Sequence, residues 1–139
     1  MKNTAEIISL LFFLGALLPP FWGLYMIRLD SKLIINRIFL LSSLALSVWM
    51  LGFAMANSQS TVEVALLWRR FAAIGWTSIF SLILHFFLLI TDDSRESTFC
   101  KFRPLLYIPS LILMFVFSFS NKMSAVQYNL IKVDTGWIN

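Results

Sequence analysis

Most of the residues that could support chemistry in this chain lie along one face of a single apolar segment. On a helical wheel of 100° per residue centred on His85, the only histidine, the side chains of Glu63, Arg70, Ser78 and Ser81 fall within about 60° of one line. Such a polar stripe has two interpretations. It packs against other helices, as hydroxyl and small residues do in membranes, or it lines a cavity and relays a signal across the bilayer. The sequence leaves both open, and we take these five residues as a candidate signal-relay stripe.

The spacing along this stripe limits what its ionisable residues can do together. Arg70 and His85 are 15 residues apart, roughly 22 Å along a helix, so they cannot share one small site. His85 fits a hydrogen-bonded residue inside a helix bundle, or a pH-sensitive or ligand-contacting group. A phosphoacceptor role is disfavoured within a membrane, where no soluble ATP-binding domain can reach it. We expect Arg69, on the opposite side of the wheel, to extend to lipid headgroups. Arg70 is expected to pair with Glu63 or with another acidic group.

Motifs of enzymes and metal sites are absent from the sequence. It has no glycine-rich phosphate loop, no HExxH metal motif and no GxSxG nucleophile elbow. Cys100 is the only cysteine, which excludes an internal disulfide and a cysteine metal cluster. We therefore predict no catalytic residues, no metal site, no cofactor and no catalytic domain.

The composition indicates which elements position the stripe. Apolar residues make up 59% of the chain and charged residues 13%, against a usual charged share of about 25%. So few charges cannot cover that much apolar surface in water. Uncharged runs predict membrane-spanning helices at about 7–27, 38–56, 64–91 and 104–120, followed by a more polar tail at 121–139. The predicted fold is an all-α, polytopic membrane bundle of four transmembrane helices.

Prolines and a heptad repeat add detail to these spans. Pro19 and Pro20 are expected to kink the first span and to free the carbonyls of Gly15 and Ala16. Pro109 is expected to bend the fourth span. Along the second span, residues spaced by seven share one helix face, which indicates a packing seam. They are Asn36, Ser43, Met50 and Asn57.

The net charge of +4 does not indicate nucleic-acid binding, because the basic residues stand at the ends of apolar runs. In a four-span arrangement, the loops after spans one and three share one side of the membrane and carry six basic residues. The other side carries three, or five when Arg69 and Arg70 are counted. Because positive charge favours the cytoplasmic side, we predict a multi-pass protein of the cell membrane with its N-terminus outside.

The order of several residues resembles a known family. They are Asn36-Arg37-Ile38-Phe39, Trp49, Ala65, Trp68-Arg69-Arg70, Gly75, Leu84-His85-Phe86, Thr91, Tyr107-Ile108-Pro109 and Gly136-Trp137. From Asn36 to its end the chain resembles the N-terminal seven-transmembrane region of bacterial sensor histidine kinases, a region also found ahead of diguanylate cyclase modules. The resemblance implies an outside N-terminus, three further spans and a cytoplasmic output domain. It also implies that this chain is a fragment truncated after the fourth span.

The expected function is therefore the membrane-embedded sensory input region of a bacterial signal-transduction protein, similar to a histidine kinase but lacking its output domain. The alternative is a self-standing small four-helix membrane protein, such as a transporter subunit or a partner in a complex. Expected partners are the lipid bilayer and either other copies of the chain, through helix–helix self-association, or the missing downstream helices. The stimulus, the ligand and the oligomeric state do not follow from the sequence.

Overall fold

A computed structural model describes residues 2–91, 103–119, 130–133 and 136–138 of the chain. In chain order, these residues form α1 (Lys2–Leu29), α2 (Ile34–Ser58), α3 (Val62–Thr91), a 3₁₀ turn (Arg103–Leu106), α4 (Tyr107–Phe119), β1 (Ile131–Val133) and β2 (Gly136–Ile138). The described part is overwhelmingly helical, which confirms the predicted all-α class. The first three helices each cover a predicted apolar run and extend beyond it at one or both ends. The fourth predicted run, 104–120, is divided between the 3₁₀ turn and α4.

Three of the helices are long and apolar enough to cross a membrane. Their apolar stretches have 26, 25 and 30 residues, with mean hydropathies of 2.0, 2.1 and 2.0. At 1.5 Å per residue these lengths are roughly 38 to 45 Å, which exceeds the hydrocarbon thickness of about 30 Å. The fourth apolar helical stretch, Pro104–Phe119, is shorter. The prediction of four full-length spans is therefore supported for the first three helices only.

The α1–α2 turn is held by side chains instead of a capping residue. Asp30 accepts a hydrogen bond from the backbone N–H of Lys32 at 2.8 Å, an Asx turn. The buried Asn36 donates its side-chain amide to the carbonyl of Asp30 at 2.8 Å. Arg37 donates to the carbonyl of Ser31 at 2.9 Å. Asn36, predicted to lie in a packing seam, thus also fixes where α2 begins.

The helices pack in chain order. α1 and α3 each lie along α2, and α4 lies along α3. The α2–α3 contact is close because small residues face each other. A Cβ added at Gly75 would meet the carbonyl oxygen of Ala45 and the backbone nitrogen of Trp49, and one at Gly52 would meet Ala72. Without side chains at these glycines, the two backbones approach one another, as in many membrane helix pairs.

The prolines of α1 are accommodated by a contact with α2. The helix runs without interruption across Pro19 and Pro20. Because proline has no N–H, Pro20 cannot bond the carbonyl of Ala16 four residues earlier. The hydroxyl of Ser47 on α2 donates to that carbonyl at 2.5 Å. The Ala16 oxygen therefore links the two helices, while the predicted kink and the release of the Gly15 carbonyl stay predictions.

A β-hairpin follows α4 in the chain, within the predicted tail. β1 and β2 pair antiparallel, with Ile131 opposite Ile138 and Val133 opposite Gly136. The sequence analysis predicted no strands here. Each strand has only three residues, too few for a period-two pattern to stand out. The remainder of the tail, including Tyr128, lies outside the described residues.

Candidate functional site

Two groups of polar contacts lie along α3, one near its start and one in its second half. We call the first the cap contact; it joins Arg69 to the hairpin and to the end of α2. We call the second the α3–α4 contact; it joins Ser81 and His85 to α4.

An apolar cluster forms the base of the cap contact. Leu130 and Trp137 from the hairpin are buried against Ala65 of α3, with Leu66 packed beside them. Trp137 is only 7% exposed. It is enclosed by protein and anchors the hairpin on the bundle at the end of α2 and the start of α3.

Arg69 is the polar centre of the cap contact. Its guanidinium donates to the carbonyl of Trp137 and its Cζ lies 3.9 Å from the ring centre of Phe53 on α2, within the range of a cation–π contact. The residue is 7% exposed. The expectation that Arg69 extends to lipid headgroups is therefore wrong. The hairpin covers this position, and a carbonyl and an aromatic face replace the solvation that headgroups would provide.

Trp137 is held by two further hydrogen bonds, both to the end of α2. Its backbone N–H donates to the side-chain oxygen of Asn57 at 3.4 Å, and its indole N–H donates to the carbonyl of Gln59 at 3.0 Å. The Nζ of Lys132 lies 5.5 Å from the centre of its ring. Trp137 of the hairpin thus contacts both α2 and α3 in the cap contact.

Three hydroxyl contacts form the first half of the α3–α4 contact. Ser110 of α4 donates to the carbonyl of Thr77 at 2.7 Å. Ser81 of α3 donates to the carbonyl of Leu106 at 2.6 Å. The hydroxyls of Ser81 and Ser110 also contact each other. Two hydroxyl protons serve three contacts, so more than one placement of the protons fits the same heavy-atom positions.

His85 and Tyr107 form the second half. The Nδ1 atom of His85 lies 2.6 Å from the hydroxyl oxygen of Tyr107, and the tautomer decides which atom donates. The two rings meet edge to face, with centroids 5.8 Å apart and planes at 75°. His85 is 7% exposed. This geometry matches the interpretation of His85 as a hydrogen-bonded residue inside a bundle, and a pH-sensing or ligand-contacting role stays a prediction.

The structure brings together only part of the predicted stripe. Ser81 and His85 meet α4 side by side. Ser78 instead donates to the carbonyl of Ile74 within its own helix. Arg70 lies nearer the cap, where its carbonyl accepts a hydrogen bond from Ser118 at 3.2 Å. Glu63 is exposed in the first turn of α3.

Sequence reasoning missed the partners of the stripe on α4 and the hairpin partner of Arg69. Tyr107 and Ser110 stand three residues apart, which places them on one helix face opposite Ser81 and His85, four residues apart on α3. That matched spacing was a usable signal. No comparable signal joins Arg69 to Trp137, because 68 residues separate them.

Within the described ranges, no group of three or more His, Cys, Asp or Glu side chains could hold a metal ion. No protein-family model, curated protein or solved structure matches the chain.

Proposed function

We propose that this chain is the membrane-embedded sensory input region of a bacterial signal-transduction protein of the histidine kinase type. In this proposal α1–α4 lie in the cell membrane with the N-terminus outside, and the output domain belongs to sequence beyond this chain. Three long apolar helices, the distribution of basic residues and the resemblance of residues 36–139 to such regions support it.

The observation that carries the proposal is that polar contacts hold α3 both near its start and in its second half. Arg69 joins it to the hairpin, and His85 joins it to α4. The two residues are 16 positions apart, about 24 Å along the helix. A helix held at both points can carry a displacement from one side of the bilayer toward the other.

The energies involved suit a switch. Interhelical hydrogen bonds in membranes average about 0.6 kcal/mol, so the polar bonds between α3 and α4 contribute a few kcal/mol to their association. Consider a stimulus that loosens Trp137 from Arg69. To shift the populations of two helix arrangements, it must favour one arrangement over the other by a free energy of that order. The cap contact is the input in this scheme, and the α3–α4 contact is the element that rearranges.

Cys100 allows the proposed topology to be tested with the natural chain. It is the only cysteine and follows α3 in the sequence, so the proposal places it in the cytoplasm. A membrane-impermeant maleimide applied to intact cells should leave Cys100 unlabelled and should label it after permeabilisation. In the matched control, Cys100→Ser with Ser60→Cys in the α2–α3 turn, labelling should occur in intact cells. The reverse pattern would contradict the topology.

The signalling part of the proposal is tested by the DNA that follows the codon for Asn139. A frame that continues, or resumes after one frameshift, into three more apolar runs and a kinase or cyclase module would support it. A stop codon with no related coding sequence beyond it would sink the sensor proposal and favour a self-standing membrane protein.

A further inference from the structure

We infer that a groove between α1, α2 and α3 binds one uncharged, flat aromatic molecule dissolved in the membrane. The inference rests on the proposed function, because it presupposes that these helices lie in a bilayer, and it names the class of ligand that such a region would take.

The groove exists because α1 and α3 both pack on α2 and leave a gap above part of it. Its volume is about 500 Å³, within the range of about 300 to 1,000 Å³ typical of small-molecule sites. Ser42 and Ser43 of α2 lie in its floor between Phe39 and Leu46. The small side chains of these two serines leave room between the larger residues on either side of them.

The lining determines the kind of ligand. Aromatic rings come from all three helices, as Trp22 on α1, Phe39 on α2, and Phe86 and Phe87 on α3. Phe39 and Phe86 are in contact, with ring centroids 5.8 Å apart. Such rings favour offset or edge-on contact with another flat aromatic system.

The two hydroxyls of the floor have no proton free for a ligand, since both already donate within α2. Ser42 donates to the carbonyl of Ile38 at 2.9 Å, and Ser43 donates to that of Phe39 at 2.8 Å. Aromatic cages also bind quaternary ammonium groups. None of the described residues that line this groove carries a carboxylate, however, and burying an unpaired charge there is costly. The ligand is therefore uncharged.

The length of the groove argues against a helix as its occupant. Its floor spans Phe39 to Leu46, about 10 Å of the α2 axis, whereas a docked spanning helix needs a seam along most of the roughly 30 Å hydrocarbon core. At one end Phe53 closes the seam by contacting both Phe12 of α1, with centroids 5.9 Å apart, and Arg69 of α3.

The test uses the full chain in bilayer nanodiscs and a photoactivatable aromatic probe, 3-(trifluoromethyl)-3-phenyldiazirine, with anthracene as competitor. Mass spectrometry of peptides locates the label. Labelling at Trp22, Phe86 and Phe87 should saturate with probe concentration and fall when anthracene is added. Ser42→Phe, which fills the floor, should weaken the saturable labelling about tenfold or more.

Leu44→Phe is the matched control, because it adds a ring at an exposed position of the same helix, outside the groove. It should leave the saturable labelling unchanged. Where Ser42→Phe does not fold, Ser42→Leu is the smaller filling variant, and circular dichroism checks each protein.

Labelling that rises linearly with the probe, ignores anthracene and is equal in both variants would assign the groove to lipid chains and overturn the inference. Labelling that disappears as the protein becomes more concentrated in the bilayer would assign the groove to a second copy of the chain and would also overturn the inference. Extraction of the chain from membranes by alkaline carbonate, tested first, would overturn the proposed function itself. A chain that is retained but shows no saturable labelling overturns the ligand site alone.

Discussion

Replacing Gly75 by alanine should separate α2 from α3. The added Cβ would meet the carbonyl oxygen of Ala45 and the backbone nitrogen and Cβ of Trp49, all within 3.0 Å. Two of these are backbone atoms, so no side-chain rotation relieves the clash. The helices must move apart, by several tenths of an ångström to about 1 Å, to restore ordinary contact.

That movement has a calculable cost. Inserting a group into a packed interface typically destabilises by about 1 to 3 kcal/mol, and a gap of 0.5 to 1 Å forfeits roughly a quarter to a half of each dispersion contact across it. The contact of Gly52 with Ala72 lies in the same interface and would loosen as well. Alanine gains about 1 kcal/mol over glycine in helix propensity. Subtracting this gain from the insertion cost leaves about 0 to 2 kcal/mol. The loosened contact of Gly52 with Ala72 adds to it, so we expect a net loss of about 1 to 2 kcal/mol.

Gly15→Ala is the matched control. The added methyl group there meets only the end of the Met50 side chain, with its Cε at 2.7 Å and its sulfur at 3.5 Å. Methionine is flexible and can move aside, so the propensity gain should remain. We expect Gly15→Ala to be neutral or stabilising, which makes the difference between the two variants about 2 kcal/mol.

The assay is reversible unfolding in mixed micelles with increasing sodium dodecyl sulfate, followed by far-UV circular dichroism and tryptophan fluorescence. Gly75→Ala should lower the free energy of unfolding, and Gly15→Ala should not. Equal midpoints for Gly75→Ala and the wild type, or for the two variants, would refute the close α2–α3 approach.

Three further predictions follow from single contacts. Ser47→Ala should lower the free energy of unfolding by about 1 kcal/mol, because it removes the hydrogen-bond donor to the Ala16 carbonyl. The loss should be smaller in a Pro20→Ala background, where the backbone N–H of residue 20 can bond that carbonyl. Equal losses in both backgrounds would contradict this. Tyr107→Phe and His85→Phe should be non-additive by about 0.6 to 1.7 kcal/mol in a double-mutant cycle, whereas strict additivity would remove the hydrogen bond between them. Arg69→Met should increase the rate of amide hydrogen exchange in the β-hairpin by about tenfold, since a charged donor bond is worth about 1.5 to 3 kcal/mol, and unchanged exchange measured by mass spectrometry would show that Arg69 does not hold it.

The positions of the helices could be predicted because each depends on local composition. Runs of apolar residues long enough to cross a bilayer specify a helix wherever they occur, since the backbone must satisfy its own hydrogen bonds there. The predicted runs 38–56 and 64–91 correspond to Ile34–Ser58 and Val62–Thr91. The fourth run differs, because a 3₁₀ turn occupies its start and α4 begins only at Tyr107.

Half of the candidate site could be predicted in the same way. His85 and Ser81 stand out as polar residues on one face of an apolar helix, and that face does meet another helix. Neither Tyr107 nor Ser110 was predicted to contact the stripe, because that contact appears only when α4 lies against α3. Ser78 shares the stripe by angle, yet it bonds within its own helix. The wheel gives the direction of a side chain and not the element that it meets.

Arg69 shows most clearly where prediction from sequence ends. Its charge and its place at the start of an apolar run were determined by the sequence alone, as were the helical class and the approximate positions of α1 to α3. Only the tertiary structure decided that Arg69 is buried, because a tryptophan 68 residues later covers it and supplies a carbonyl. The groove above Ser42 likewise depends on the tertiary structure, because it is the gap that α1 and α3 leave where they pack on α2. Local patterns follow from the chemistry of neighbouring residues, whereas burial and cavities depend on which distant segments pack together.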